Sequence, residues 1–505
     1  MKILIVLLCI SCTFTFSSRA QITFQKTFGD SCCSAGMAAV QTDDGGYATA
    51  GYTFAFGSGG QDFYLVKTDS LGNLLWTHTY GGIADERCYY MQQTSDHGFI
   101  MVGYTQSFGP NLPYENGYVV KTDSAGNVQW STAFGGNGGE FCYYAQQTSD
   151  GDYIIAAVTS DSFSPFQDGY LVKLDSNGNI IWSKHYGSSI NDRFTAVLET
   201  PDRGYIVGGN FWSQGMWLLK TDSAGIVQWS KTYGGETISS LVQTLDGGYM
   251  LCGDAGSDIA LVKTDVNGDT LWTKTYGGPN VEHSYSVQQL ADSSYVVTGM
   301  TSFMIGQNDV YTFKVNPQGN LLWTKISGGT AQDESRTIVQ TTDGGFILTG
   351  FAESFHGNYQ NVYLIKTDAN GNSRCNQITP DILPGNFAFT INVLVGLSEV
   401  SAPTISVIPA TLVGTGGAQE TLCLTTAIDA TENLHFQFSI SPNPTTGTFN
   451  IESNLQNAEL KIYDVMGKEV YAAILNTKYE TLNTHLAPGI YFVNAGGHTQ
   501  KLVVQ

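Results

Sequence analysis

The chain has 505 residues, of which 42% are hydrophobic and only 13% charged, with 58 glycines, 27 tyrosines and a formal net charge of -21. That length allows two or three domains with proper cores, and the glycine-rich, weakly charged composition indicates a turn-rich all-β protein rather than a disordered one. The acidic balance, with no basic stripe, makes nucleic acid and anionic membrane poor partners.

Residues 1–20 read as a secretory signal: Lys2 supplies the positive start, Ile3 to Ile10 the apolar core, and Ser18-Arg19-Ala20 the small residues before a cut between Ala20 and Gln21. Acylation of Cys12 fits less well, because Cys9-Ile10-Ser11 lacks the usual Leu. No later stretch reaches the ~18 continuous apolar residues of a membrane helix. Export leaves Cys32, Cys33, Cys88, Cys142, Cys252, Cys375 and Cys423. The odd number argues against a complete disulfide framework, and the absence of CxxC against structural zinc. Cys252 reads as a small buried hydrophobe. Cys375 with Cys423 is the best-placed bridge.

A repeat then runs through most of the chain. Lys-x-Asp-x-x-Gly, followed four residues later by Trp, occurs at Lys67/Gly72/Trp76, Lys121/Gly126/Trp130, Lys173/Gly178/Trp182, Lys220/Gly225/Trp229 and Lys263/Gly268/Trp272. Lys314/Gly319/Trp323 has Asn316 for the Asp, and Lys366/Gly371 has no Trp. Lysine spacings of 43 to 54 residues with strand content indicate propeller blades. The second unit predicts strands at Tyr89 to Thr94, Phe99 to Thr105, Tyr118 to Asp123 and Val128 to Phe134, joined by turns such as Asp96-His97-Gly98. The last unit has only three strands, and Ile22 to Gly29 matches the missing fourth. The expectation is an all-β chain with a seven-bladed β-propeller over residues 21–373, closed by this N-terminal strand. Residues 374–435 lose the repeat and read as a connector or a small β module.

Residues 436–505 predict a small β-sandwich, with strands at Thr448 to Ser453, Ala458 to Tyr463, Lys468 to Ala473, Gly489 to Ala495 and Thr499 to Val504. This unit carries Pro442-Asn443-Pro444 with Gly447, then Tyr463-Asp464 with Gly467, then Gly489 with Tyr491, and finally Lys501. It closely resembles the type A C-terminal sorting domain of the type IX secretion system of Bacteroidetes. The resemblance implies passage through that machinery after signal-peptide export, removal of the domain, and release or attachment at the cell surface. The repeats resemble the DGG/W-type propellers of such exported proteins. The Asp-box of sialidases differs in its spacing, and sialidase activity is not carried over.

The variable connections lie between the second and third strands of each unit, so the binding face is expected there and at the connections between units. On that side a recurrent acid follows the last strand: Glu86, Glu140, Asp192, Glu282 and Asp333, with Ser34 and Ser239 at the same count in two units. These acids either form a site for calcium or polyols or cap their own loops. A second series, Asp62, Asn116, Asp168, Asp258, Asp309 and Asn361, reads as a turn lock. Phe211, Trp212 and Trp217 offer either a sugar-stacking platform or inter-blade packing. No catalytic motif occurs, and His283 beside Glu282 is the only histidine near the expected face. The expected function is an extracellular propeller that binds glycan or protein without catalysis and needs no cofactor beyond possible calcium. The alternatives are a carbohydrate-active hydrolase or lyase, or a structural adhesin component.

Overall fold

A computed structural model describes residues 21–505 apart from 30–32, 111, 137, 162–163, 189, 213, 303–306, 356–358, 381–391, 394–397, 402–404, 408–410, 415–417, 426–438, 442–444, 446–447, 453–457, 465–467, 476–478, 485, 496–497 and 505. The proposed leader, with Cys9, Cys12 and Ala20, lies outside the described residues. The chain divides into two units, Met1–Ala427 and Ile428–Gln505.

The first unit is a succession of four-stranded antiparallel sheets, with no helix among the described residues. This repetition fits a propeller-like fold. Within each sheet the strands, here A to D, pair in chain order. Sheet 1 comprises Ser34–Gln41, Tyr47–Thr53, Asp62–Thr68 and Leu74–Gly81. Sheet 2 comprises Glu86–Gln93, Phe99–Thr105, Asn116–Thr122 and Val128–Phe134. Sheets 3 to 6 begin their A strands at Glu140, Asp192, Ile238 and Glu282. Sheet 7 has Asp333–Gln340, Phe346–Ala352 and Asn361–Thr367, and its D position is filled by Thr23–Gly29. Phe24 faces Lys366 and Phe28 faces Val362 in that pairing, as the sequence match predicts.

The repeated motif is a pair of locks. The strand C lysine reaches back to the aspartate of the A–B turn: Lys67 to Asp44 and Lys121 to Asp96, both at 2.8 Å, and Lys220 to Asp202 at 2.9 Å. The ammonium also donates to the next carbonyl, Lys121 to Thr122 at 2.8 Å. Burial pushes the Asp96 carboxyl up, but hydrogen bonds from Lys121, Thr94 and the Gly98 N–H outweigh it and bring the carboxyl to about 2. The second lock joins neighbouring sheets. Gly126 adopts φ 82°. A β-carbon there would lie 3.0 Å from the Trp76 ring of the preceding unit. Gly178 meets Trp130 in the same way, and Gly371 meets Trp323. At Gly72 the partner is Phe24, the residue that the N-terminal strand places where Trp stands elsewhere.

Residues 377–425 pair with the outer edges of these sheets. Gln377–Ile378 adds to sheet 6, Asn392–Val393 to sheet 4 and Ser398–Ser401 to sheet 3. Ile405–Val407 adds to sheet 2, Thr411–Gly414 to sheet 1, and Ala418–Thr425 to the N-terminal strand of sheet 7. The segment expected as a connector is thus a belt on exposed strand edges, which covers unpaired backbone groups. Its ends are tied by Cys375–Cys423, with Cα atoms 6.4 Å apart. Cys88, Cys142 and Cys252 are free and buried.

The second unit has a three-stranded and a four-stranded sheet, over a core of Phe449, Ile451, Leu460, Ile462, Leu482, Val493, Leu502 and Val504. Its strands Ala458–Asp464 and Gly489–Ala495 fall where the alternation predicts.

Replacing Cys423 with Ser is expected to lower unfolding stability by about 2–4 kcal/mol. Thermal unfolding of the oxidised parent and the variant checks this, and added reductant should bring the parent to the variant's midpoint.

Candidate functional site

Every strand A of the first unit contains a β-bulge at the same register. The pairing shifts between Gly36 and Ala38, between Cys88 and Tyr90, between Cys142 and Tyr144, and between Phe194 and Ala196. It shifts again between Ile238 and Ser240, between Ser284 and Ser286, and between Ser335 and Thr337. A bulge leaves one residue without a cross-strand partner and re-aims its side chain. Here those residues are Met37, Tyr89, Tyr143, Thr195, Ser239, Tyr285 and Arg336, and all of them line one cavity of about 470 Å³.

The bulge also explains a glycine in most B strands. A β-carbon on Gly103 would lie 1.8 Å from the Arg87 carbonyl oxygen, and one on Gly299 would lie 1.9 Å from that of His283. Glycine within an apolar strand was the available sequence signal for these bulges. Sheet 3 departs from the pattern with Ala157 opposite Cys142.

The cavity is chemically uneven. On one side Tyr89 and Tyr143 stack at 5.1 Å, and Tyr90 and Tyr144 at 4.0 Å. On another, the Arg336 guanidinium lies 4.0 Å from the Tyr285 ring centroid and donates to Glu334 at 2.8 Å. Tyr285 donates to the same carboxylate at 3.3 Å. Burial, opposed by the Arg336 charge, raises the Tyr285 hydroxyl to about 12, so it stays protonated and can donate. Arg336 Nε is buried without a hydrogen-bond partner. Thr195 and Ser239 supply hydroxyls on the remaining side.

The predicted acids lie elsewhere. Glu86, Glu140, Asp192, Glu282 and Asp333 are all fully buried, and each carboxylate accepts hydrogen bonds from its own loop. The Gly82 N–H donates to Glu86, and the Ser188 N–H to Asp192, both at 2.6 Å. The Gly136 N–H donates to Glu140 at 2.9 Å, the Gly278 N–H to Glu282 at 3.0 Å and the Gly329 N–H to Asp333 at 2.7 Å. They are loop caps, not a solvent-facing ring. Ser34 bonds Thr53 at 2.7 Å in the same place. Ser239 does not belong to this series: Ile238, like Cys88, is opposite a strand B glycine, so Ser239 corresponds to Tyr89. The loop after Tyr233 is shorter, which defeats the count. Among the described residues no group of three or more His, Cys, Asp or Glu side chains is placed to hold a metal.

Of the aromatic trio, Phe211 and Trp217 are buried against one another at 5.3 Å, whereas Trp212 is 61% exposed. Trp212 borders a second cleft of about 380 Å³ with Arg193, Asn210, Glu236 and Thr237. His283 is bound to Asp254 at 2.9 Å, and that carboxylate also accepts from the Ser284 N–H and hydroxyl.

The two acid series meet beneath glycines. A β-carbon on Gly81 would lie 1.9 Å from Asp62 Oδ1 and 2.5 Å from Glu86 Oε2. The same convergence joins Asp168 with Asp192, Asp258 with Glu282, and Asp309 with Asp333. In sheet 2 the partner of Glu140 is Asn116, whose amide N–H₂ donates to the Tyr114 carbonyl at 2.9 Å. Asn116 Oδ1 and Glu140 Oε2 therefore converge as two acceptors, neither with a hydrogen-bond partner. Burial is the main cause that pushes Glu140 to about 7. Its folded form thus keeps a proton that the unfolded chain releases, and stability falls as pH rises between the ordinary 4.5 and about 7. Glu140→Gln places a donor opposite Asn116 Oδ1. It should raise stability at about pH 8 by on the order of 2 kcal/mol and flatten that decline, measured by thermal unfolding across the pH range.

In the second unit, Tyr463 and Asp464 end a strand, and Asp464 accepts from the Lys468 N–H at 3.0 Å. Tyr491 donates to the Ala487 carbonyl at 2.9 Å, and Gly489 and Lys501 lie in strands. Pro442, Asn443, Pro444, Gly447 and Gly467 fall outside the described residues.

No curated protein matches the chain. Among solved structures, a protein from Lactobacillus plantarum aligns at 14% identity and TM-score 0.42, covering 71% of this chain and 100% of that one. A protein of unknown function from Dyadobacter fermentans aligns at 11% and 0.40, covering 69% and 98%. PorZ, a surface component of the type IX secretion system of Porphyromonas gingivalis, aligns at 9% and 0.20, covering 95% and 100%. No helix of the described residues is long and apolar enough to cross a membrane. Residues 439–505 match the secretion system C-terminal sorting domain family; this stretch is a type IX sorting domain, and it directs the chain to the cell surface or out of the cell.

Proposed function

We propose that the chain is an exported, seven-bladed, closed propeller that binds an extracellular glycan or protein through its bulge-lined cavity, without catalysis. Closure is supported by the bonds between the first and last sheets. Thr49 and Thr349 hydroxyls meet at 2.8 Å, and the Thr342 N–H donates to Gln41 at 2.7 Å. The latter repeats a bond between consecutive sheets, from the Ser95 N–H to Gln147 at 2.8 Å. The N-terminal strand supplies the last sheet's D strand and its Phe24 fills the Trp position, so the ring has a consistent seam.

The observation that carries the binding reading is the contrast between lock and bulge. Lysine, aspartate, glycine and tryptophan recur because they build the scaffold. The residue that each bulge aims into the cavity changes from sheet to sheet, through Met, Tyr, Thr, Ser and Arg. A rigid frame presenting unlike side chains to one concave space suits recognition. The His283 ring and the Ser284 hydroxyl both engage Asp254, at 2.9 and 3.1 Å. Secretion machinery would engage the sorting domain, and the mature cell-surface or released form would present the cavity.

Tyr143→Ala and Tyr285→Ala are expected to weaken ligand binding about tenfold or more with little change in melting temperature. A glycan and protein binding screen on the full chain, run with a product-release assay, checks this; released product would overturn the non-catalytic reading. Deleting residues 439–505 should retain the protein inside the cell envelope, read by fractionation.

A further inference from the structure

The Trp212 cleft and the bulge-lined cavity share a wall residue. Thr237 lines both, and its hydroxyl is buried without a hydrogen-bond partner. The cavity side offers Thr195 and Ser239, and the cleft side offers Arg193, Asn210 and Glu236. Trp212 differs from the repeat tryptophans: it lies in no lock, and its ring is 61% exposed. Its backbone N–H donates to the buried Asp192 at 3.2 Å, which holds the main chain at the base of the ring.

We propose that these two concavities form one groove for a neutral, pyranose-based oligosaccharide, with a sugar ring stacked on Trp212, hydroxyls bound at Thr237, and the far end among Tyr143, Tyr285 and Arg336. An exposed indole with planar polar groups around it matches the apolar face and hydroxyl rim of a pyranose. Charge selects the neutral class. Arg336 is paired with Glu334, and Arg193 shares its cleft with Glu236. The chain's net charge of -21 also repels polyanions. Two groups in the groove wall, Thr237 Oγ1 and Arg336 Nε, are buried without hydrogen-bond partners.

This inference rests on the binding reading and names its ligand class. The test is calorimetric titration of the full chain with neutral glucan, mannan, xylan and galactan oligosaccharides of one to six units, and with oligogalacturonate of matching length. For at least one neutral series, affinity should rise with chain length and change little between low and high salt. Trp212→Ala should cut hexamer affinity about tenfold and remove the gain with length, while the melting temperature stays at the parent value. Thr237→Val should weaken binding severalfold. Preference for oligogalacturonate, or failure of every neutral series, overturns the inference. So does hexamer binding that Trp212→Ala leaves intact and Tyr143→Ala abolishes, although the cavity then remains a binding site. Sugar binding with release of shorter products would instead keep the groove and overturn the non-catalytic reading.

Discussion

The contact of an indole edge with a glycine turn is what sets one sheet on the next. At Gly126, Gly178 and their equivalents the backbone is left-handed, and the absent side chain is the seat of the preceding sheet's tryptophan. Any larger residue would meet both penalties, the conformational one and the steric one. The lysine lock has the complementary task within a sheet. It fixes the A–B turn against the end of strand C, so the turn residues and the tryptophan face keep a constant relation. In every sheet the strand A bulge falls at the same register against strand B. The bulge residues of all seven sheets therefore line one cavity.

Much of this frame was legible. The Lys-x-Asp-x-x-Gly…Trp spacing contains the lysine of one lock and the glycine and tryptophan of the other, while the aspartate that pairs with the lysine lies outside it, in the A–B turn; the match of Ile22 to Gly29 with a D strand locates the borrowed strand. Five of the C-terminal strands followed from alternation; Tyr479–Asn483 and the short Ser439–Ser441 did not. The site was less accessible, for a definite reason. A bulge is a difference between two strands, so strand A alone does not reveal it; its trace lies in the partner, as Gly103 or Gly299 in an otherwise apolar run. Counting from strand D found the acids because loop length is nearly constant, and failed at Ser239 where the loop is shorter. The two acid series looked independent in sequence because Asp62 and Glu86 are 24 positions apart, although their carboxyls converge beneath Gly81.

Burial changed the meaning of the acids. A carboxylate that accepts from its own loop and stands against a second acceptor cannot also serve solvent as a ligand. The same accounting points the other way in the cavity. There Arg336 and Thr237 have donors left over, and the tyrosine hydroxyls remain protonated at any physiological pH. The loop carboxylates are thus largely engaged by their own backbone, whereas the cavity wall keeps two buried donors without partners.

The belt has a mechanical consequence. It begins at Cys375 and returns to Cys423, 48 residues later, having paired with the outer edges of most sheets. Tension applied through the C-terminal unit meets Thr425 and Leu424, paired with the N-terminal strand, and then Cys423, where the disulfide passes it to Cys375. The intervening strands are outside the load path. Pulling the chain through a pore, or cutting it anywhere between the two cysteines, therefore leaves the C-terminal unit covalently joined to the sheets and the belt strands unstretched.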